Sequence, residues 1–315
     1  MTHLRQALID GLRAEAMTPV ADAGLAALIA AIQARSHAPV RAILFYGSGL
    51  WQGVTADKVQ DFYALVDRQR DFDPRRDTVG LGRLLPPNVY YIETANGTET
   101  VRAKCAVMQW DQFRQAARGR AATPHIWARF AQPCRVVHTR DGETAEAVIG
   151  MLTDAVLAFH RKIYPLAPPG ADSRQFWIAG LVETYARELR SEDSTRAGAV
   201  YDAAPQALDW RTRLALPIVT NAPADKPVAA IPPATAGHRL RAQALSALAR
   251  PLGKLVTLLR LMKATRTFEG GVDYILWKIE RHSGVRVTPS GFARRHPLIG
   301  GWPVLIRLYR RGAFR

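Results

Sequence analysis

The sequence predicts an α+β protein, and three observations support this fold class. Apolar residues recur at helical spacing within residues 1–38. Short, partly β-branched apolar runs bounded by turn residues occupy residues 40–108 and are typical of strands. From residue 145 onward the pattern is mostly helical again. Strands mixed with helices in the first part, followed by helices alone, indicate an α+β arrangement.

Four strands are predicted in the first part of the chain. They cover residues 40–45, 61–66, 88–93 and 100–108. The first strand stops at the glycine turn Gly47–Ser48–Gly49, which is followed by a loop. The last two strands meet across Asn96–Gly97, a strong hairpin signal. These features predict a first domain over residues 1–144.

The later part of the chain divides at a proline-rich stretch. Helices are predicted for residues 145–163 and 176–190, with a break at the prolines between them. Residues 217–233 contain five prolines and no sustained period, which indicates a linker or long surface loop. We therefore predict a mostly helical second domain over residues 145–235 and a third region over residues 236–315.

The charge is concentrated in that third region. Residues 236–315 carry 16 Lys and Arg against 3 Asp and Glu, which is +13 of the formal net charge of +16. Within it, residues 239–264 show a leucine stripe interspersed with Arg and Lys, a basic amphipathic pattern. An anionic partner is expected, and composition alone does not choose between phosphate backbone and anionic lipid.

Other compositional features narrow the class of protein. Two cysteines in 315 residues exclude a disulfide framework and favour a reducing compartment. The first apolar run, residues 24–32, is short and lacks a preceding basic segment, so no signal peptide is expected and the N-terminus is predicted to be cytoplasmic. The C-terminal apolar stretches are interrupted by Lys and Arg, which favours a peripheral over a spanning membrane association. The histidines, His125 among them, lack partners at zinc-ligand spacing.

One segment indicates a specific kind of site more strongly than the others. It is Tyr46–Gly47–Ser48, followed by Asp61 at the start of an apolar strand. Nucleotidyltransferases of the polymerase-β type combine a strand, a Gly–Ser turn and a carboxylate in this order. Glycine lets backbone N–H groups approach a triphosphate, Ser48 can donate to a phosphate oxygen, and Asp61 can hold Mg²⁺. An ordinary strand-to-loop turn would give the same Gly–Ser pair.

The second metal ligand is less clear. The nucleotidyltransferase pattern has two acidic residues separated by one position, and here Tyr63 occupies the second place. Asp67 is the other candidate metal ligand, on the same strand face by parity. Six residues of extended chain span roughly 20 Å, so Asp67 could share a metal with Asp61 only if the strand ends early and folds back. A polar strand-end residue is the alternative interpretation of Asp67.

Taken in order, several motifs resemble the mitochondrial-type phosphatidate cytidylyltransferases, the peripheral CDP-diacylglycerol synthases of mitochondria with bacterial relatives. The family reads YGSG, then DF, then VD; the matching residues here are Tyr46–Gly49, Asp61–Phe62 and Val66–Asp67. Further similar segments follow over residues 40–190: Val101–Val107 with Lys104, Ala128–Cys134 with Arg129, Ala179–Leu181, Tyr185, and Glu188–Arg190. The chain departs from the family at Ala128, Gln132 and Glu188, and in the segment Asp71–Arg76.

This resemblance implies a fold, a reaction and a set of site residues. It implies a polymerase-β-type nucleotidyltransferase domain, a winged-helix-like domain and a basic, membrane-associating C-terminal region. The reaction would use CTP and Mg²⁺ to convert phosphatidate to CDP-diacylglycerol and pyrophosphate, on the inner face of the cytoplasmic membrane and without a nucleic-acid partner. The implied site residues are Asp61 and Lys104 for catalysis; Tyr46, Gly47, Ser48, Lys104 and Arg129 for the nucleotide; Tyr185, Glu188 and Arg190 for the acceptor; and Asp61 with Asp67 for the metal.

The basic residues also have a chemical rationale of their own. Lys104, Arg129 and Arg190 are cations of the kind that hold a triphosphate and a phosphomonoester together against their mutual repulsion. A phosphomonoester is largely dianionic at neutral pH, so positioning and charge neutralisation would provide most of the catalysis. Each of these cations could alternatively be a solvated surface residue.

Two other functional classes remain open on the sequence alone. The same catalytic core could act on RNA, a protein or a soluble phosphate, with the basic tail steering the acceptor. Alternatively, the missing second acidic residue at Tyr63 is consistent with a catalytically inactive binding protein of the same fold.

Overall fold

A five-stranded mixed sheet forms the centre of the fold. The computed structural model describes residues 2–188, 194–222 and 230–267. The strands are β1 (Ala42–Tyr46), β2 (Val59–Val66), β3 (Asn88–Asn96), β4 (Glu99–Gln109) and β5 (Cys134–Thr139). Their order across the sheet is β3-β4-β2-β1-β5; β2 and β4 run parallel, and the other neighbouring pairs are antiparallel.

Helices precede the sheet, connect its strands and follow it. They are α1 (Thr2–Ala16), α2 (Ala23–Arg35), α3 (Gly49–Gln52), α4 (Gln69–Phe72), α5 (Arg76–Leu84), α6 (Trp110–Ala117), α7 (Trp127–Phe130), α8 (Gly142–Ile163), α9 (Ser173–Ala186), α10 (Ser194–Asp202), α11 (Pro205–Thr220) and α12 (Ala236–Thr267). Asp141 and Asp172 cap the N-termini of α8 and α9 by accepting backbone N–H groups. These caps explain why both helices begin directly after an aspartate.

The sheet has an apolar core on each face because strand residues alternate between the faces. Ile43 and Phe62 pack with α2 on one face. Leu44 and Tyr63 belong to a larger core on the other face, where α1, α8, α9 and α11 also contribute. That larger core is continuous on both sides of residue 144, so the boundary predicted there does not divide two separate cores.

The mixed α+β class predicted from the sequence is confirmed. All four predicted strands are present, and Gly97 has a positive φ of 62° at the hairpin turn. The fifth strand, β5, was not predicted. The linker was predicted to begin at Pro217, and this was wrong, because α11 continues to Thr220. Pro217 is buried, and its packing in the core compensates for the backbone hydrogen bond that proline cannot donate.

The C-terminal helix α12 contacts the rest of the protein through polar groups. Glu183 on α9 accepts hydrogen bonds from the Ser246 hydroxyl and from Arg250 Nη2, the latter at 2.7 Å. Farther along, Lys263 Nζ donates to the carbonyl oxygens of Leu85 and Pro87 at 2.5 and 2.6 Å. Buried charge is tolerated only when it is paired or hydrogen-bonded, so these contacts fix which side of α12 faces inward.

The opposite side of α12 exposes seven leucines, which we call the leucine face. They are 39–71 % exposed: Leu240, Leu245, Leu248, Leu252, Leu255, Leu258 and Leu259. Most follow each other at intervals of three or four residues, which keeps them on one side of a helix. A soluble helix usually buries such a stripe, so α12 is inverted relative to that rule. Across the described ranges, no helix has both the length and the apolar character to cross a bilayer.

We predict that Gly253→Ala loosens α12. A Cβ at Gly253 would lie 2.2 Å from the Arg187 carbonyl oxygen, which is backbone and cannot rotate away. We expect a loss of about 1–3 kcal/mol in the stability of this contact, measured as faster hydrogen exchange of the α12 amides.

Gly237→Ala is the matched control on the same helix. A Cβ there meets nothing within 4 Å, so it should leave exchange unchanged or slow it slightly. Equal exchange in the two variants would contradict the close packing of α12 at Gly253.

Candidate functional site

Three predicted site residues lie side by side on adjacent strands. Tyr46 pairs with Asp61 between β1 and β2, and Asp61 pairs with Lys104 between β2 and β4. Residues of these strands at the same parity belong to the larger core, so the three side chains share that face of the sheet. Strand pairing therefore brings together residues from three separate motifs.

The turn after β1 places the backbone next to the carboxylate. Gly47 has a φ of +87°, a conformation that L side chains rarely adopt. A Cβ at Gly47 would lie 3.4 Å from Asp61 Oδ2. Ser48 directly precedes the short helix α3 at its N-cap position, and its hydroxyl does not cap that helix. The glycine is required by the turn itself, and it also keeps the space beside Asp61 open.

One cavity of about 480 Å³ collects most of the predicted site. Its lining includes seven predicted residues: Tyr46, Gly47, Ser48, Asp61, Arg129, Tyr185 and Glu188. Three parts of the chain form its walls, namely the β1–β2 edge, the segment around α7, and helices α9 and α10. A volume of this size lies within the usual range for small-molecule sites.

Arg129 on α7 is the central cation of this cavity. Its guanidinium lies 4.9 Å from the ring centroid of Tyr46, and its positive charge acts on the Tyr63 phenol. Burial lowers the pKa of Arg129, but the neighbouring phenol groups and the carboxyl groups of Asp61 and Glu188 outweigh burial, and the pKa lies above that of an ordinary arginine. Arg129 is therefore a permanent positive charge held in place by aromatic and acidic neighbours.

The two phenols below Arg129 are buried. Burial raises the pKa of Tyr46 well above its usual value, and it raises the pKa of Tyr63 as well. Both rings pack against Phe130, with centroids 5.7 and 5.2 Å from its ring. Tyr46 lines the cavity as a neutral phenol, and Tyr63 packs against it outside the lining. Tyr63, at the place of a second acidic residue, is thus a buried phenol close to the charge of Arg129.

Two other predicted cations have different positions. Lys104 lies beside Asp61 on the sheet and is exposed, and it is not among the residues that line the cavity. Arg190 falls outside the described residues. Of the three cations predicted to share one cleft, Arg129 lines the cavity and Lys104 does not, and the position of Arg190 is not described.

Asp67 is not brought together with Asp61. It follows the end of β2, and Asp61 lies near the start of the same strand, so the extended chain separates the two carboxylates by roughly 20 Å. Asp67 accepts hydrogen bonds from Arg41 Nη1 at 2.8 Å and from Arg140 Nη1 at 3.0 Å. Asp67 does not fit the predicted shared metal site, because the strand does not fold back.

The sequence analysis missed three polar residues at the cavity or its wall. Arg196 on α10 and His125 line the cavity. Arg260 on α12 donates through Nη1 to the Thr123 hydroxyl at 2.8 Å and lies 3.3 Å from His125 Nδ1. Arginine has no acceptor, so His125 Nδ1 accepts and the hydrogen of the neutral ring is assigned to Nε2. No motif marks these residues, since distant helices bring them in.

Asp61 is the predicted metal ligand that lines the cavity. Among the described residues, no group of three or more His, Cys, Asp or Glu side chains could hold a metal. Mg²⁺ is often bound by one or two carboxylates together with substrate phosphates and water. Asp61, at the open turn beside Gly47, fits that minimal role.

Comparison with known proteins adds no family assignment. No protein-family profile matches this chain, and no curated protein sequence matches it significantly.

For the nucleotidyl transfer that the sequence resemblance implies, we predict that Asp61→Asn abolishes activity while thermal unfolding stays near that of the wild type. The loss should be at least roughly 1,000-fold, since metal-assisted charge stabilisation contributes several kcal/mol in such sites. Ser48→Ala should cost less, about 1.5–3 kcal/mol for one charge-assisted hydrogen bond.

Asp67→Asn is the informative comparison on the same strand. It removes two ion pairs of a side chain that is 45 % exposed, which costs about 0–1 kcal/mol of stability, and it should retain transfer. A larger loss of transfer in Asp67→Asn than in Asp61→Asn would refute this assignment of the site.

Proposed function

We propose that this chain is a membrane-peripheral nucleotidyltransferase. It transfers the cytidylyl group of CTP to the phosphate of phosphatidate, forming CDP-diacylglycerol and pyrophosphate on the inner face of the cytoplasmic membrane. In this proposal the β1–β2 unit belongs to a polymerase-β-type domain, and helices α8–α11 correspond to the winged-helix-like domain.

The observation that carries the proposal is the convergence of separate motifs on one cavity. The Gly47–Ser48 turn and Asp61 come from the nucleotide half of the resemblance, and Tyr185 and Glu188 come from its acceptor half. More than 120 residues of chain separate Asp61 from Tyr185. Even so, the carboxyl groups of Asp61 and Glu188 both raise the pKa of Arg129. A cation between two sets of recognition groups suits a reaction that joins two anionic substrates.

The chemistry requires positioning more than proton transfer. A phosphate oxygen of phosphatidate attacks the α-phosphorus of CTP, the bond to the β-phosphate breaks, and pyrophosphate leaves with the bonding electron pair. Arg129 holds the two anions together, and the backbone at Gly47 with the Ser48 hydroxyl orients the triphosphate. When bound, Mg²⁺ at Asp61 would supply charge neutralisation on the phosphates.

A nucleotidyltransferase with a different acceptor is the second candidate. Tyr63 is buried at the position where the nucleotidyltransferase pattern has a second carboxylate. This departure from the usual metal ligands favours a different acceptor. The cavity also includes apolar residues such as Trp51 and Val200, which are compatible with a base or a soluble acceptor. An inactive binding protein is the third alternative, and it would lack turnover with every acceptor.

The deciding experiment incubates the full-length protein with each α-³²P-labelled nucleoside triphosphate, Mg²⁺ and phosphatidate vesicles. We expect label from CTP in the lipid phase, released as CMP by mild hydrolysis. Label transferred to RNA or to a soluble phosphate instead would support the second candidate. Absence of transfer from every nucleotide, with intact Mg²⁺–nucleotide binding, would support the inactive protein.

The leucine face of α12 supports the membrane part of the proposal. Residues 236–267 contain seven Lys and Arg and no acidic residue. Exposed leucines bordered by cations suit the interface of an anionic leaflet, where apolar burial and electrostatic attraction add together. Two further C-terminal segments in which apolar residues are bordered by Lys and Arg, residues 277–281 and 294–315, lie outside the described residues.

We predict that replacing Leu248, Leu252 and Leu255 with serine abolishes vesicle binding without unfolding the protein. These side chains are 51–71 % exposed, so their loss removes little core packing. If each contributes about 1 kcal/mol or more in the interface, affinity should fall roughly 100-fold in vesicle cosedimentation.

Leu84→Ser on α5 is the control, because Leu84 is 77 % exposed and does not belong to the leucine face. It should bind vesicles like the wild type. Unchanged binding of the triple variant would remove α12 from the membrane contact.

A further inference from the structure

A second, smaller cavity opens where α12 begins, apart from the candidate site. It has a volume of about 240 Å³ and lies between the C-terminal ends of α8 and α9 and the first turns of α12. Its lining includes Arg161, Lys162, Arg187, His238, Arg241 and Leu245. The cavity is below the usual range for small-molecule sites, about 300–1,000 Å³, so it suits a single charged group better than a nucleotide.

The charged side chains described around this cavity are all positive. Among the described residues, four cationic side chains line it and no carboxylate does. Arg187 pairs with Glu183 at 2.9 Å, but within the described ranges no acidic side chain pairs with Arg161, Lys162 or Arg241. Burial lowers the pKa of Lys162, and the charges of Arg187 and Arg161 lower it further. Mutual repulsion of this kind is relieved when an anion binds among the cations.

The cavity also borders the leucine face. Leu245 belongs to both, and it is 57 % exposed. Leu240 and Leu248, on the same helix, are about 70 % exposed. An anion held by Arg241 would thus lie next to apolar side chains that point to the outside. In a leaflet the phosphates of the lipids are likewise located directly beside the acyl region.

We propose that this cavity binds the phosphate of an anionic phospholipid headgroup while the leucine face lies in the interface of the same leaflet. The bound lipid is a docking ligand, distinct from the acceptor in the candidate site. This inference rests on the membrane role in the proposed function and is independent of nucleotidyl transfer. Membrane binding would then include a specific contact with one lipid headgroup in addition to the general electrostatic attraction to an anionic surface.

The test compares two charge-matched double variants of the full-length chain. Arg161→Gln with Arg241→Gln removes two exposed cations of the cavity, whereas Arg5→Gln with Arg213→Gln removes two exposed cations on α1 and α11. Cosedimentation is measured with phosphatidylcholine vesicles that contain or lack phosphatidylglycerol. A basic residue at an anionic surface changes affinity about five-fold, so the cavity variant should lose roughly 25-fold on the anionic vesicles. The α1–α11 variant should lose far less.

A second arm identifies the source of the phosphate. Soluble dihexanoyl phosphatidylglycerol and inorganic phosphate are titrated into the wild type and the cavity variant. Saturable binding of the short-chain lipid that the cavity variant loses supports the proposal. Equal affinity for inorganic phosphate would assign a free-phosphate site and overturn the lipid assignment.

The outcomes also separate this inference from the proposed function. Suppose that the wild type binds anionic vesicles. If the cavity variant then binds as well as the wild type, or if both double variants lose the same affinity, the headgroup site alone is overturned. Failure of the wild type to bind anionic vesicles overturns the membrane role together with it.

Discussion

The pairing register of β1, β2 and β4 is the constraint on which the site depends. Tyr46, Asp61 and Lys104 are aligned only because β1 pairs antiparallel and β4 parallel to β2 at these positions. A shift of one residue would turn Asp61 to the opposite face of the sheet and away from Arg129. Both faces of β2 are buried, each in a different core, so such a shift would move every side chain of the strand into the opposite core and would bury Asp61 there.

Polar contacts determine which side of α12 faces the rest of the protein. Its inward side carries four hydrogen-bonded polar residues: Ser246, Arg250, Arg260 and Lys263. Their hydrogen bonds require partners at fixed positions, whereas burial of leucine is non-directional. The helix is therefore held by its polar side and leaves its apolar side outward. Arg260 reaches the wall of the candidate site from this helix, so one element links the proposed lipid surface to the proposed catalytic cavity.

Local patterns in the sequence predicted local structure well. The apolar runs before Gly47 and after Asp61, and the Asn96–Gly97 turn, specify strands and a hairpin through short-range preferences. They could not predict that β5 joins β1 at the sheet edge, because strand pairing across nearly 90 residues leaves no local signal. The inward position of Arg260 likewise depends on tertiary packing. The strand spacing, by contrast, already indicated that Asp61 and Asp67 lie far apart.

The central claim is that the cavity beside Asp61 is a magnesium-dependent nucleotide site, and calorimetric titration of CTP into the full-length protein tests it most directly. The account predicts saturable binding in Mg²⁺ that is lost in EDTA and strongly weakened in Arg129→Gln, whose folding is checked by thermal unfolding. Saturable binding that is indifferent to Mg²⁺ and to Arg129, or no binding of any nucleoside triphosphate to the folded protein, would contradict it.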